Sequence, residues 1–232
     1  MNITKGKETV MKELLIQALT KVFCGMAIAG LLIFLPAGTV MFREGWLLMA
    51  ILFIPMVIAG FVMLFKSPDL LRKRLNAKEK QDEQKTVIIL SLLMFVASFV
   101  VAGLNHRFGW IPLPATVSYV AAAVFLLAYV LYAEVLRENM YLSRTVEVQE
   151  NQKVVDTGLY GIVRHPMYMA TLLLFFSMPL VLGSVISFAI MLFYFPIINR
   201  RMINEEKVLS EGLTGYKEYM EKVRYRVIPY IW

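Results

Sequence analysis

The sequence predicts an all-α fold: a polytopic membrane bundle of about six spanning segments, with cytoplasmic helices at the C-terminus. Three observations carry this reading. Apolar residues make up 59% of the chain, against roughly 45–50% in a soluble domain. The mean hydropathy is +0.64. Ionisable residues gather in clusters divided by long apolar runs, so the chain passes from water to hydrocarbon and back. The predicted organisation is one membrane-embedded domain over residues 1–232: four transmembrane helices in 1–136, then a catalytic region in 137–232 that contains a helical hairpin at 167–198.

A crossing takes about 20 predominantly apolar residues. Val22–Pro36 is the core of the first span and extends back to Leu14. Lys5, Lys7, Lys12 and Lys21 accompany a run too long for a cleavable leader, which predicts an uncleaved first helix. Cys24 lies inside that run and reads as a small apolar residue on a buried helix. Trp46–Phe65, Thr86–Leu104 and Leu113–Tyr132 supply three more spans, the last opened by Pro112 and Pro114. Met167–Ile198 is charge-free and too long for one straight crossing. Pro179, Gly183 and Ser184 sit at its middle, so the segment predicts a tight hairpin with arms of about 15 residues.

Lysine and arginine set the orientation. Lys66–Lys85 carries Lys66, Arg72, Lys73, Arg74, Lys78, Lys80 and Lys85, and Glu134–Pro166 carries Arg137, Arg144, Lys153 and Arg164. The tail after Ile198 is also basic, whereas the intervening short connections hold only Arg43 and Arg107. The alternation predicts that both termini are cytoplasmic, in a multi-pass protein of a prokaryotic cell membrane. Trp46, Trp110 and Trp232 lie at apolar–polar boundaries, where an indole settles. The net charge of +7 is thus a topology signal, and no basic soluble module calls for nucleic acid. No ionisable residue interrupts the core of a span after the first, which argues against a transporter or channel.

The chemistry must then lie in two polar stretches. In the first, Gln149 to Tyr168, Gly158 and Gly161 flank Leu159-Tyr160 and permit a turn with close backbone approach. Pro166 suits the first turn of a helix, which would place Arg164 and His165 at its mouth, where an anionic group is favoured. Spacing alone leaves an ordinary surface loop equally open. In the second, Arg201 and Glu205 share a helix face at i, i+4, just below the last apolar arm. Spacing alone favours a surface ion pair there.

The ordered combination is more specific than its parts. Arg164-His-Pro-x-Tyr168, an apolar hairpin, Arg201-x-x-x-Glu-Glu-x-x-Leu, Gly215-Tyr-x-x-Tyr219 and Val227-Ile-Pro229 together resemble the isoprenylcysteine carboxyl methyltransferase family, a group that includes phospholipid N-methyltransferases. The resemblance runs from about Arg137 to the C-terminus. It implies an integral membrane enzyme that uses S-adenosylmethionine, releases S-adenosylhomocysteine and lacks a Rossmann fold. It implies that Gln149, Gln152, Lys153, Val154, Val155, Tyr160, His165, Pro166, Met167, Tyr168 and Glu205 bind the cofactor. It further implies that Arg201 orients the acceptor and that Arg164 serves either ligand. The sequence departs from the family pattern at Gln152, where His is common, and at Leu159 within Gly158-Leu-Tyr160.

The implied reaction is methylation of a lipophilic acceptor that enters from the bilayer, with the carboxylate of an isoprenylcysteine-like substrate as the family default. Phospholipid N-methylation and S-methylation of a small hydrophobic thiol are the enzyme alternatives. A reductase related to membrane sterol reductases, and a non-enzymatic scaffold or carrier, complete the field.

Overall fold

The computed structural model describes residues 2–75, 82–143 and 145–232, with side chains described from residue 11 in the first helix and from residue 85 in the fourth. Lys78 and Lys80 of the basic segment, Arg144, and the side chains of Lys5 and Lys7 fall outside these. The helices are α1 (Asn2–Ala37), α2 (Arg43–Lys66), α3 (Pro68–Leu75), α4 (Asp82–Phe108) and α5 (Ala115–Glu138), followed by α6 (Pro166–Val181), α7 (Val185–Met191), α8 (Tyr194–Gly212) and α9 (Tyr216–Lys222). Among the described residues no strand forms; one isolated bridge pairs Pro112 with Ser184.

Among the described residues five segments are long and apolar enough to cross a membrane: Met11–Ala37, Arg43–Lys66, Lys85–Phe108, Ala115–Glu138 and Val185–Gly212, with the shorter Pro166–Val181 as a sixth apolar helix. Their outward faces are apolar. Phe23, Leu31 and Leu35 on α1, Ile58 and Phe65 on α2, and Leu92 and Leu93 on α4 are all exposed, an untenable surface in water and an ordinary one in lipid. The protein is thus a multi-pass helical membrane protein. Cys24 belongs to this outer surface and is exposed, contrary to the expected buried position.

The hairpin has its turn where the glycine predicts it. Gly183 adopts φ +70°, a left-handed conformation glycine accepts without strain, between the end of α6 and Ser184, the N-cap of α7. Pro179 lies inside α6, one turn before the bend. The second arm differs from the expected 15-residue arm ending at Ile198. It breaks at Leu192–Phe193 and resumes as α8, which runs on to Gly212. Pro196 explains the break: it has no N–H for the Leu192 carbonyl, which accepts instead from the Phe195 N–H at 3.1 Å. Arg201 and Glu205 therefore ride on the same helix that leaves the membrane.

The core lies among α1, α2, α4, α5 and α6, around Ile33, Leu48, Phe125, Ala102 and Val181. Small residues on α4 and α5 (Ala102, Ala121, Ala128) allow close helix approach, and hydroxyls add interhelical bonds. Ser98 and Ser187 pair at 2.6 Å, and Ser187 donates to the Ser98 carbonyl at 2.7 Å, which fixes the hairpin to α4.

The connections sort to two ends. At one end Phe42 stacks on His106 at 3.9 Å, Pro112 meets Ser184, and the Asn105 amide donates to the Gly183 carbonyl at 3.4 Å. The lysine- and arginine-poor connections share this end. At the other end lie α3, the segment between α5 and α6, the second half of α8, α9 and the tail.

Candidate active site

The sequence Gly158–Pro166 folds as a short 3-10 turn (Gly158–Gly161) followed by the start of α6, with His165 as N-cap and Pro166 at its first position. Gly158 has φ +53°, and a Cβ there would lie 1.5 Å from a Glu138 carboxylate oxygen. That carboxylate accepts from the Leu159 N–H at 3.0 Å, so the turn is seated directly on the end of α5. Tyr160 is buried; its hydroxyl accepts from the Asn139 amide at 2.9 Å, and its carbonyl accepts from the Tyr219 hydroxyl at 2.7 Å. The turn thereby joins α5 to α9.

Arg164 and His165 do stand at the mouth of α6, and the anion they meet is the protein's own Glu206. Arg164 Nε donates to Oε1 at 2.8 Å and His165 Nε2 lies 3.1 Å from the same oxygen. Arg226 donates to Oε2 through Nε at 3.0 Å and Nη2 at 2.8 Å. Arg164 Nη1 also donates to the carbonyls of Val223 and Arg224, each at 2.9 Å. The backbone N–H groups of Arg164 and His165 donate to the Tyr225 and Arg226 carbonyls. Arg164, His165 and Glu206 are buried. A buried carboxylate is tolerated only when paired and hydrogen-bonded, and this one has both oxygens filled.

Glu205, one residue earlier, points elsewhere. Its Oε2 accepts from the Tyr168 hydroxyl at 2.5 Å, and the same hydroxyl accepts from Arg201 Nε at 2.9 Å. Tyr168, in the first turn of α6, is 3% exposed. Arg201, Tyr168 and Glu205 thus form one hydrogen-bonded chain along the wall of a cleft.

The cleft has about 840 Å³ of atom-free space including its open mouth. Of the sequence-predicted residues it gathers Gln152, Lys153, Val154, Val155, Tyr160, Arg164, His165, Met167, Tyr168, Arg201 and Glu205. Gln149 and Pro166 are not on its lining. The Gln149 side chain donates to the Tyr141 carbonyl, and its N–H donates to Gln152 Oε1 at 2.8 Å, so it shapes the loop behind the wall. Pro166 is buried as the helix start.

Sequence reasoning quoted Glu206, Tyr216 and Tyr219 within the motif without giving them a role, and it missed Asn139 and Arg226; Asn139, Tyr216 and Tyr219 line the cleft. Burial pushes the phenols of Tyr160, Tyr216 and Tyr219 well above their usual range, so these walls are neutral. Glu206 had a signal. It continues the buried stripe Ile198, Met202, Glu206 at i, i+4 spacing, and a glutamate on such a stripe requires cationic partners.

Residues 116–214 match the model of a family described as phospholipid methyltransferase. Over that segment, which is less than half of the chain, the protein is similar to the phospholipid methyltransferase family. This is the family of membrane methyltransferases related to the isoprenylcysteine carboxyl methyltransferases. The family segment runs from α5 through α8; α1 to α4, α9 and the Arg226 tail lie outside it. The chain is also similar to the Delta(14)-sterol reductase TM7SF2 of Mus musculus, with 28% identity over 91 residues. That match covers 38% of this chain and 22% of the reductase, so the chain spans about a fifth of that relative's length.

Proposed function

We propose that the cleft binds S-adenosylmethionine and that the protein methylates the carboxylate of an isoprenylcysteine-like lipid. The observation that carries this reading is the Arg201–Tyr168–Glu205 chain on the cleft wall. The lining suits the cofactor. Glu205 and Glu147 are anionic partners for its cationic groups, Lys153 is a partner for its carboxylate, and Tyr160, Tyr216 and Tyr219 offer ring surface. The use of S-adenosylmethionine across the family supports this cofactor. When bound, it supplies an electrophilic sulfonium methyl group and leaves as neutral S-adenosylhomocysteine.

The residues then have divided tasks. Glu205 holds the cofactor and Tyr168 fixes Glu205 relative to Arg201. Arg201 orients the acceptor, whose ionised oxygen attacks in line without a general base. Arg164 and His165 act indirectly: Arg164 Nε and His165 Nε2 are turned to Glu206 and Arg164 Nη1 to the tail carbonyls, so they lock α6 to the tail and hold the cleft wall. With His165 Nε2 against Glu206, an amine acceptor has Glu205 as its candidate base. This favours the carboxylate.

The family match supports a second acceptor, the amine of a phospholipid, whose phosphate could meet Arg201 instead. The mouse reductase similarity motivates a nicotinamide control. Calorimetric titration of detergent-purified protein with S-adenosylmethionine, S-adenosylhomocysteine and NADPH should give binding of the first two only. Labelled methyl transfer should then be assayed to N-acetyl-S-farnesylcysteine, a phosphatidylethanolamine and a hydrophobic thiol. Transfer only to the amine or only to the thiol refutes the carboxylate reading. NADPH binding without S-adenosylhomocysteine binding refutes the methyltransferase site.

A further inference from the structure

The first four helices carry no part of the motif, yet one short element among them touches the cleft. Helix α3 follows α2 at the bundle end that holds the cleft, with Leu70 and Leu71 buried and Leu71 packed against Leu14 and Leu64. Its basic residues do not all face outward. Arg72 is exposed, 3.9 Å from Asp69. Lys73 and Arg74 are half-buried and reach across to the segment after α5. Lys73 Nζ donates to the Met140 carbonyl at 3.3 Å and lies over the Tyr141 ring, 5.8 Å from its centroid. Arg74 Nη1 donates to the Ser143 carbonyl at 3.4 Å. Arg74 also bonds the Tyr132 hydroxyl, with its guanidinium carbon 5.5 Å from that ring's centroid. The Lys21 ammonium holds the Leu75 carbonyl at the end of α3.

Asn139, Tyr141, Leu142 and Ser143 line the cleft, and Asn139 also holds the Tyr160 hydroxyl. A non-helical segment has backbone carbonyls that need donors, and here two side chains of α3 supply them. We infer that α3 is a strut that sets the 139–143 wall of the cleft, with Arg74 as a positioning residue for cofactor binding. The strut itself rests on the observed contacts; its effect on the cofactor rests on the proposed function. Arg74 does not touch the reacting groups. It spans α5 and the wall at once, through Tyr132 and Ser143, and so ties the end of α5 to the loop that leaves it.

The test compares Arg74→Ala and Arg74→Lys with Arg72→Ala, whose residue makes no contact with the wall. Amide hydrogen exchange of residues 139–143 is measured in the full-length protein without cofactor. S-adenosylhomocysteine affinity and the KM for each substrate are measured alongside. Arg74→Ala should speed exchange at 139–143 and weaken S-adenosylhomocysteine binding about fivefold to tenfold, the scale of one charge-assisted bond. The KM for S-adenosylmethionine should rise, while kcat and the KM for acceptor stay near wild type. Arg74→Lys should recover part of the affinity, and Arg72→Ala should match wild type in both readouts. Unchanged exchange at 139–143 in folded Arg74→Ala overturns the strut. If that variant does not fold, Lys73→Ala and Tyr132→Phe carry the same comparison. Wild-type protein that fails to bind S-adenosylhomocysteine overturns the cofactor reading, and the exchange data then judge the strut alone.

Discussion

Two adjacent glutamates on α8 should fail in opposite ways. Glu206 is 5% exposed, and its two oxygens receive Arg164, His165 and Arg226. Glu206→Gln keeps the shape, removes the charge, and points an amide NH2 at donors. Arg164, 9% exposed, is then left as a buried cation with only carbonyl partners. Breaking a buried pair in this way costs about 3–5 kcal/mol. Arg226 is 31% exposed on its side chain and can turn to water, so the lower end, about 3 kcal/mol, is expected. That corresponds to a fall in Tm of roughly 6–12 °C for a chain of this size.

Glu205→Gln should leave Tm within about 2 °C of wild type, because Glu205 is half-buried and accepts from a neutral hydroxyl, that of Tyr168. It should instead weaken S-adenosylhomocysteine binding roughly tenfold or more, the loss of a charge-assisted bond of about 1.5–3 kcal/mol. Thermal melts in detergent and calorimetric titration of both variants decide the matter. A Glu206→Gln protein as stable as wild type, or a folded Glu205→Gln protein with wild-type affinity, refutes this division of labour.

Other perturbations probe other links. Arg201→Lys should keep cofactor affinity and lower kcat/KM for a carboxylate acceptor by roughly 2–4 kcal/mol, because the planar fork is lost; a mild effect in the transfer assay would point to an amine or thiol. Gly158→Ala should destabilise the 3-10 turn, since its Cβ falls on the Glu138 carboxylate; pairing it with Glu138→Ala should recover part of the loss in a melt, and no recovery would place the defect in the φ +53° backbone. In a Cys24→Ala background, a cysteine at Thr39 should label with an impermeant reagent from outside intact cells and one at Lys153 only after permeabilisation. The reverse pattern would invert the topology.

How far the fold was legible follows from what each signal depends on. Spans were legible because hydrocarbon thickness sets a length that composition alone reveals. The hairpin turn was legible from Gly183, whose positive φ few other residues accept. The α7–α8 break and the run of α8 to Gly212 were harder. They depend on where Pro196 removes a bond relative to a helix start that hydropathy does not mark. Cys24 was misread because a membrane helix turns apolar residues outward, so apolarity no longer implies burial. Within the cleft, the motif brought together Arg201, Glu205, Tyr168 and the Gln152–Val155 strip. The 139–143 wall and its link to α3 were hidden, because that contact joins residues 67 and 69 positions apart through backbone carbonyls, which carry no sequence signature.

The motif's separate pieces also have a shared physical cause. Arg164-His-Pro, the second glutamate of the pair on α8 and the tail at Val223–Val227 meet around a single carboxylate. An arrangement of this kind is costly to bury and fails if any partner leaves, so it fixes three distant segments in one register. Fixing α6 to α8 in turn sets Tyr168 against Arg201 and Glu205, one residue out of phase with the buried stripe. The first glutamate is therefore free to face a ligand because the second bears the load of the fold. The proposed methyl transfer, which needs alignment more than proton transfer, would be served by this division: a rigid ionic anchor behind the wall, and a neutral hydroxyl between Glu205, the proposed cofactor partner, and Arg201, the proposed acceptor partner.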